Sequence, residues 1–223
     1  MPTTHPKEVK RSIQAHEFIK REILECTLEP GQFLQEAALC ERYQVGRTPF
    51  REACQRLEAE GLIEIVPHRG AFVTSLSAWD VNDLFELRLL IEPSIAELAC
   101  LRKASGADLK KLDINLADSK LLLKGKRARA IPELNWNSQD FHVGIARLTH
   151  NNELVALVER MHNKLMRILV FTARRSPDDY PLNLIHTEIF DAIVRGDSRE
   201  ARRAMTRDIE EAKQWVQDFG LKS

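Results

Sequence analysis

Three segments with helical periodicity in the second half of the chain each place a possible metal ligand among apolar residues. Asp208 lies in the middle of one apolar stripe, and His142 and His186 lie on the stripes of two others. The apolar members are Ala201, Met205, Ala212, Trp215 and Phe219 around Asp208, Ile145 and Ala146 beside His142, and Leu182, Ile189 and Ile193 beside His186. An isolated buried carboxylate or imidazole is costly unless it is paired or coordinated. Two histidines and one carboxylate from separate helices could therefore hold one divalent transition metal, zinc or a similar ion, with positions left open for a ligand.

Two other interpretations of these residues stay open. Each histidine could be a hydrogen-bonded core residue, in which case the helices form a metal-free structural bundle whose polar groups pair with one another. A metal with an open position could also activate water, which would make the protein a metal-dependent hydrolytic enzyme. The sequence contains no HExxH motif and no Gly-rich phosphate loop. We therefore expect a protein that is not an enzyme.

Arg88 is a further candidate for chemistry in the same part of the chain. It lies on a helical stripe whose other members are Val81, Leu84, Ile91 and Ile95. Its guanidinium could receive the carboxylate of a small effector through two parallel hydrogen bonds. It could equally form a buried ion pair with Glu92 one turn later.

Another group of polar residues opens a short helix nearer the N-terminus. One face of this helix is apolar and consists of Phe50, Ala53, Cys54 and Leu57. Arg47 and Arg51 lie on the opposite face, and Thr48, which precedes Pro49, is placed to act as the N-cap. A helix that is buried on one side and offers two arginines one turn apart suits the major groove of double-stranded DNA. We expect Arg47 and Arg51 to contact base edges and Thr48 to contact a phosphate.

The elements around this helix predict a winged helix-turn-helix. A preceding helix over 36–43 is joined to it by Gln44-Val45-Gly46, and two short strands over 62–66 and 71–73 follow. The turn between the strands carries His68, Arg69 and Gly70, which we expect to approach the DNA backbone or minor groove.

Beyond residue 76 the strand signal disappears and only helical patterns remain. They run over 78–103, 108–124, 128–148, 152–174, 182–195 and 198–219. The predicted fold is mainly α, with a winged helix-turn-helix DNA-binding domain at 1–76. An all-helical ligand-binding and dimerisation domain at 77–223 follows it.

Composition is that of an ordinary globular protein. Of the 223 residues, 43% are hydrophobic and 30% are charged, and basic and acidic residues are equal at 33 each. A DNA-binding surface must therefore be local, because the chain has no overall positive excess. No apolar run is long enough to span a membrane, and the N-terminal segment has no signal-peptide core, so we expect a cytoplasmic protein. The four cysteines show no CxxC pairing, and we expect buried, reduced thiols, with a redox switch as the alternative.

The run LEPGQFLQEAALCERYQVGRTPFREACQRLEAEGLIEIVPHRGAFV closely resembles the DNA-binding domain of the GntR family of bacterial transcription regulators. Two later runs, DVNDLFELRLLIEPSIAELAC and IHTEIFDAIVRGDSREARRAM, resemble the all-helical FCD-type effector domain of its FadR-like branch. The resemblance implies a homodimer that binds a palindromic operator, as two-fold symmetry requires. It also implies small organic acids as effectors, and we expect a repressor that such an acid releases from DNA.

The resemblance also implies a pattern of metal ligands. Metal-binding members carry an aspartate, a histidine one turn later, and two further histidines. His142 and His186 match the second and third positions, whereas Ser138 stands at the first and Asp208 at the last. Serine is a poor ligand for a divalent ion, so this implies a three-residue site of His142, His186 and Asp208. Ser138, together with Arg88, is then expected to face the effector.

Overall fold

A computed structural model describes residues 6–102, 106–123, 127–174 and 185–220 of the chain. The chain divides into two compact units, Met1–Leu76 and Ser77–Ser223. The first contains helices and one two-stranded sheet, and in the described part of the second every regular element is a helix. The predicted fold class, mainly α with a small β wing, is therefore confirmed.

The first unit has three helices followed by a hairpin. They are α1 (Pro6–Leu24), α2 (Glu36–Arg42), α3 (Arg47–Ala59), β1 (Ile63–Val66) and β2 (Gly70–Val73). The strands are antiparallel, with Ile63 opposite Val73 and Val66 opposite Gly70. The small core forms where the apolar faces of α1 and α3 meet, and its fully buried members include Ile19, Ile23, Ala53 and Leu57.

The start of α3 differs from the prediction. Gly46 is the N-cap residue, with φ −75° and ψ 167°, and no side chain caps the helix. The assignment of Thr48 as N-cap is therefore wrong. Pro49 is the third helical residue, where it still costs no intrahelical hydrogen bond because the N–H groups of the first turn have no partner within the helix.

The second unit contains six helices within the described residues. They are α4 (Ala78–Leu101), α5 (Gly106–Leu123), α6 (Arg127–Leu148), α7 (Asn152–Ala173), α8 (Ile185–Arg195) and α9 (Ser198–Phe219). Ser77 starts α4 with a capping box, in which its hydroxyl accepts from the Asp80 amide and the Asp80 carboxylate accepts from the Ser77 amide. Residue 182, where the sequence predicts the start of the fifth helix, lies outside the described residues.

The helix α7 packs against α4, α6 and α9. From Met161 to Val170 all of its side chains are buried except that of Lys164.

The prediction for α9 needs one correction, because Phe219 is 38% exposed and does not join the buried stripe. The last buried residues within α9 are Trp215 and Val216, which precede Phe219 by about one turn.

The cysteines are only partly as expected. All four are free thiols, and Cys26 and Cys54 are buried, whereas Cys40 and Cys100 are half-buried. Burial raises the pKa of the Cys54 thiol to about 12, and it also raises the pKa of Cys40 and of Cys100.

No described helix is long and apolar enough to cross a membrane.

Candidate functional sites

A group of ionisable side chains lies inside the helical unit, and we call it the polar cluster: Arg88, Glu92, His142, His162, His186 and Asp208. The helices α4, α6, α7, α8 and α9 all contribute to it. Every member is buried except Asp208, whose side chain is 13% exposed. Charged groups are this deeply buried only when partners compensate for the lost hydration.

His142 is the centre of the polar cluster because each of its ring nitrogens faces a carboxylate. Its Nδ1 lies 2.7 Å from Glu92 Oε2, and its Nε2 lies 3.3 Å from Asp208 Oδ2. The other oxygen of Asp208, Oδ1, lies 3.4 Å from Nε2 of His186. The predicted set of His142, His186 and Asp208 is therefore brought together, with one ligand atom from each within 4.8 Å of the others.

A second triad shares His142 and was not predicted as a metal site. It consists of Glu92, His142 and His162, whose ligand atoms also lie within 4.8 Å of one another. The Nε2 atom of His162 lies 3.2 Å from Glu92 Oε1 and 3.3 Å from Oε2. Periodicity could not single out His162, since the part of α7 around it, residues 161–170, is buried on every side except at Lys164. The signal in the sequence is that His162 and Asn163 stand beside apolar residues such as Met161, Leu165 and Met166.

Arg88 forms the ion pair with Glu92 that was one of the two expectations for it. Its Nε donates to Glu92 Oε1 over 2.6 Å, and its guanidinium lies 5.5 Å from the centre of the Phe85 ring. Its Nη1 is buried and has no hydrogen-bond partner in the part of the chain that the structure describes. The ion pair therefore uses only part of the guanidinium and leaves one donor that an additional acceptor could satisfy. Ser138 is buried one turn before His142 on α6.

The carboxylates of the cluster are held in their charged form. Burial by itself would raise the pKa of Glu92, but Arg88 and the two neighbouring histidines hold it well below its usual range. Burial likewise opposes ionisation of Asp208, yet His186 and His142 lower its pKa to about 2. Both acids are therefore anions near neutral pH.

The three histidines differ because they face these anions differently. Burial outweighs the attraction of Asp208 and lowers the pKa of His186 to about 3, and burial similarly lowers the pKa of His162 to about 4. Burial also disfavours charge on His142, but two carboxylates flank this ring and raise its pKa. His142 is thus the ring whose surroundings favour a cation at its nitrogen.

The donor set fits a divalent transition metal at His142, His186 and Asp208. Two imidazole nitrogens and one carboxylate are ligands that zinc accepts at catalytic and regulatory sites. His186 Nδ1 is buried and has no hydrogen-bond partner among the described residues. The second triad suits a cation less well, because the guanidinium of Arg88 already occupies the Glu92 side.

The predicted DNA-contacting residues lie on α3 and on the hairpin. Arg47 and Arg51 are exposed, with 77% and 68% of their side-chain surface accessible. Both face Glu36 of α2, which lies 3.9 Å from Arg47 Nε and 3.1 Å from Arg51 Nε. Thr48 is also exposed, on the first turn of the same helix.

The tip of the hairpin carries the other three predicted residues. His68 and Gly70 have positive φ values of 62° and 98°, and Arg69 lies over the Phe72 ring at 5.7 Å. A Cβ atom at position 70 would approach the Phe33 ring to 2.7 Å, so only glycine fits there. Because Leu34 N donates to Ala71 O over 2.8 Å, the segment before α2 holds the hairpin in place.

Comparison with known proteins matches each of the two units to a domain found in one family of regulators. Residues 12–73 match the model of bacterial regulatory proteins of the gntR family, and residues 83–211 match the FCD domain. The chain is 28% identical over 194 residues to the HTH-type transcriptional regulator YdhC of Bacillus subtilis, covering 86% of this chain and 84% of that one. It is 26% identical over 206 residues to the HTH-type transcriptional repressor RspR of Escherichia coli, covering 92% and 89%.

A solved structure shares the fold. A transcriptional regulator GntR from Rhodococcus sp. RHA1 superposes with a TM-score of 0.74 at 21% identity, covering 93% of this chain and 97% of that one. The relatives are regulators, so the expectation that the chain is not an enzyme is confirmed. The chain therefore belongs to the GntR family and is a DNA-binding transcription regulator with an FCD domain.

Proposed function

We propose that the protein is a cytoplasmic repressor that binds a palindromic operator as a homodimer and leaves it when a small organic acid binds the FCD domain. The observation that carries the proposal is the buried polar cluster, in which cationic and metal-ligating groups converge around His142. A purely structural core rarely retains so many ionisable groups, because an apolar core of the same volume is often as stable or more stable. RspR, a relative of similar length, is named a repressor, which favours repression as the sign of control.

Arg47 and Arg51 are the proposed base-reading residues, with Thr48 and the hairpin tip of His68, Arg69 and Gly70 on the DNA backbone or minor groove. The two arginines are exposed at the start of α3, where a recognition helix contacts base edges. A bidentate arginine–guanine contact contributes about 1–3 kcal/mol of discrimination.

The test is a DNA titration of the full-length chain on a footprinted operator at fixed salt. Arg51→Ala should weaken operator binding by about 5- to 150-fold, since it removes a base contact of about 1–3 kcal/mol. Arg56→Ala is the matched control, because Arg56 is exposed on the same helix but in its last turn. Operator affinity unchanged in Arg51→Ala and Arg47→Ala would contradict the assignment.

The proposed effector site joins a metal and an arginine. His142, His186 and Asp208 would hold one divalent transition metal, zinc or a similar ion, which when bound supplies a Lewis acid for an anionic ligand. Arg88 Nη1 would donate a hydrogen bond to one carboxylate oxygen of the effector, and Ser138 would offer its hydroxyl nearby. A second candidate, a metal-free structural bundle, is favoured by one observation: every carboxylate of the cluster already faces a cation or an imidazole.

Metal analysis separates the two candidates. Full-length protein equilibrated with zinc and then freed of excess ion should retain about one equivalent per chain, and His142→Ala should retain much less, since the shared ligand is gone. Thr172→Val provides the control, since Thr172 is a buried polar residue that bonds within its own helix, to Ile168 O. Equal zinc content in the wild type and in His142→Ala would support the metal-free bundle.

A further inference from the structure

Glu92 is a buried carboxylate on which three donors converge. Arg88 Nε lies 2.6 Å from Oε1, His142 Nδ1 lies 2.7 Å from Oε2, and His162 Nε2 lies within 3.3 Å of both oxygens. Glu92 is only 2% exposed, so these groups replace its entire hydration shell. They come from α4, α6 and α7, which means that the carboxylate is fixed by three different helices.

This arrangement determines which nitrogen of His142 carries a proton. An ionised carboxylate can only accept hydrogen bonds, so the Nδ1 atom that faces Glu92 must be the protonated one. In the neutral ring, the lone pair then lies on Nε2. That nitrogen lies 3.3 Å from Asp208 Oδ2, and this carboxylate oxygen is also an acceptor. Two acceptors at this distance repel each other unless a cation lies between them, and a proton or a metal ion can fill that place.

We propose that Glu92 is the positioning residue of the metal site: it fixes the Nδ1–H tautomer of His142 and thereby presents Nε2, with His186 and Asp208, to the ion. The inference rests on the proposed metal site. A ligating histidine that donates its other N–H to a carboxylate binds its metal more tightly, because the carboxylate orients the ring and makes it more basic. Glu92 does not itself bind the ion, since Arg88 already lies against the same carboxylate.

His162 and Arg88 have supporting roles in this scheme. Each holds an oxygen of Glu92, so that the carboxylate stays charged and cannot turn away from His142. This assigns a function to His162, whose ring centre lies 4.5 Å from that of His142 but which belongs to the triad of Glu92 and not to that of His186 and Asp208. The triad of Glu92, His142 and His162 is then the support of the metal site and not a second metal site.

The test compares metal binding by the full-length wild type, Glu92→Gln and Asp208→Asn, each confirmed as folded by circular dichroism. Zinc affinity is measured by chelator competition and ligand geometry by the visible absorption of bound cobalt. Glu92→Gln should lower zinc affinity by about 10- to 100-fold while leaving the stoichiometry and the cobalt spectrum unchanged. Asp208→Asn, which alters a ligand, should change the cobalt spectrum as well.

Two outcomes would overturn the inference. Wild-type zinc affinity in Glu92→Gln would show that the tautomer is set without it, and a shifted cobalt spectrum in that variant would show that Glu92 is a ligand. If Glu92→Gln does not fold, His162→Gln takes its place. We expect this variant to lose less zinc affinity than Glu92→Gln would and to keep the wild-type cobalt spectrum. Wild-type zinc affinity in His162→Gln would contradict the scheme. Failure of the wild type to bind zinc or cobalt at all would instead refute the proposed metal site.

Discussion

Glu60 links the C-terminal end of α3 to α1 in the DNA-binding unit. His16 Nε2 lies 2.6 Å from Glu60 Oε1, and Lys20 Nζ donates to Oε2 over 2.8 Å. Although burial opposes ionisation, these two partners lower the pKa of Glu60 to about 2, from an ordinary value of 4.5. The side chain is 30% exposed, so solvent screens part of this interaction.

The lowered pKa of Glu60 predicts that the stability of the protein depends on pH. A carboxylate whose pKa is lower in the folded than in the unfolded state stabilises the fold above its unfolded pKa, and that contribution is lost as pH falls toward the folded value. Glu60→Gln should therefore lower the free energy of unfolding by about 1 kcal/mol near neutral pH, with the difference disappearing between pH 4.5 and about 2. Urea unfolding at a series of pH values checks this, and a difference that does not vary with pH would contradict it.

Glu36 is a second residue with a local electrostatic role, because it is the acid that faces both Arg47 and Arg51. DNA must displace this carboxylate from the arginines, and its charge also repels phosphate. We expect Glu36→Gln to raise affinity for non-specific DNA by several-fold, and by more than it raises operator affinity, so that the specificity ratio falls. Competition titrations at fixed salt measure the ratio. Glu41→Gln is the control, because Glu41 is exposed on the same helix. A specificity ratio in Glu36→Gln equal to that of the wild type would show that Glu36 is not involved.

At the scale of whole elements, side-chain periodicity was sufficient to predict the order of the helices and the two strands. It also placed His142, His186 and Asp208 together, because each lies on the buried side of an amphipathic helix. It missed His162 because residues 161–170 of α7 are buried except at Lys164, so this part of the helix has no broad polar side for comparison. The N-cap of α3 was also missed, as the choice between Gly46 and Thr48 depends on backbone angles that side-chain types leave open.

The helix α4 has an exposed apolar stripe in addition to its buried one. Leu87, Leu90 and Leu101 recur at helical spacing and are 37%, 73% and 67% exposed. An apolar stripe of this kind is typical of an interface, and a second copy of the chain is the occupant that the proposed homodimer requires.

Substitution of this stripe should therefore dissociate the dimer. Leu90→Asp places a charge in the centre of the proposed interface, where it would be desolvated, and we expect the mass in solution to fall from two chains toward one. Sedimentation or light scattering measures this, and operator affinity should fall with it because both half-sites are no longer held together. Val194→Asp is the control, since Val194 is 53% exposed on a different helix, α8. A dimeric Leu90→Asp variant would exclude α4 from the interface.

At the scale of the whole molecule, the proposed repressor has to couple anion binding in one unit to DNA binding in the other. Such coupling is reciprocal: an acid that weakens operator binding by a given factor must itself bind the DNA-bound protein more weakly by the same factor. Coupling energies of this kind are about 1–3 kcal/mol, which corresponds to roughly 5- to 150-fold.

A panel of small carboxylates, tested with zinc present, checks this expectation. For any acid that releases the protein, calorimetry measures the affinity of the acid for free and for operator-bound protein. The ratio of these two affinities should equal the factor by which the acid weakens operator binding. Arg88→Lys keeps the positive charge but loses the planar guanidinium, and it should abolish the response while leaving operator binding intact. No response to any acid of the panel, or a full response in Arg88→Lys, would count against the proposed effector site.

The burial of α7 has a consequence for the kinetics of any response. The enclosed part of this helix, residues 161–170, opens only when much of the unit around it opens, so its backbone amides should exchange with deuterated water more slowly than those of the other helices. His162 lies on this enclosed segment and supports Glu92. A change at the polar cluster that displaces His162 therefore involves the best-protected backbone of the unit. We expect it to proceed on the microsecond-to-second scale of collective helix motion, well beyond the nanoseconds in which an exposed side chain rotates.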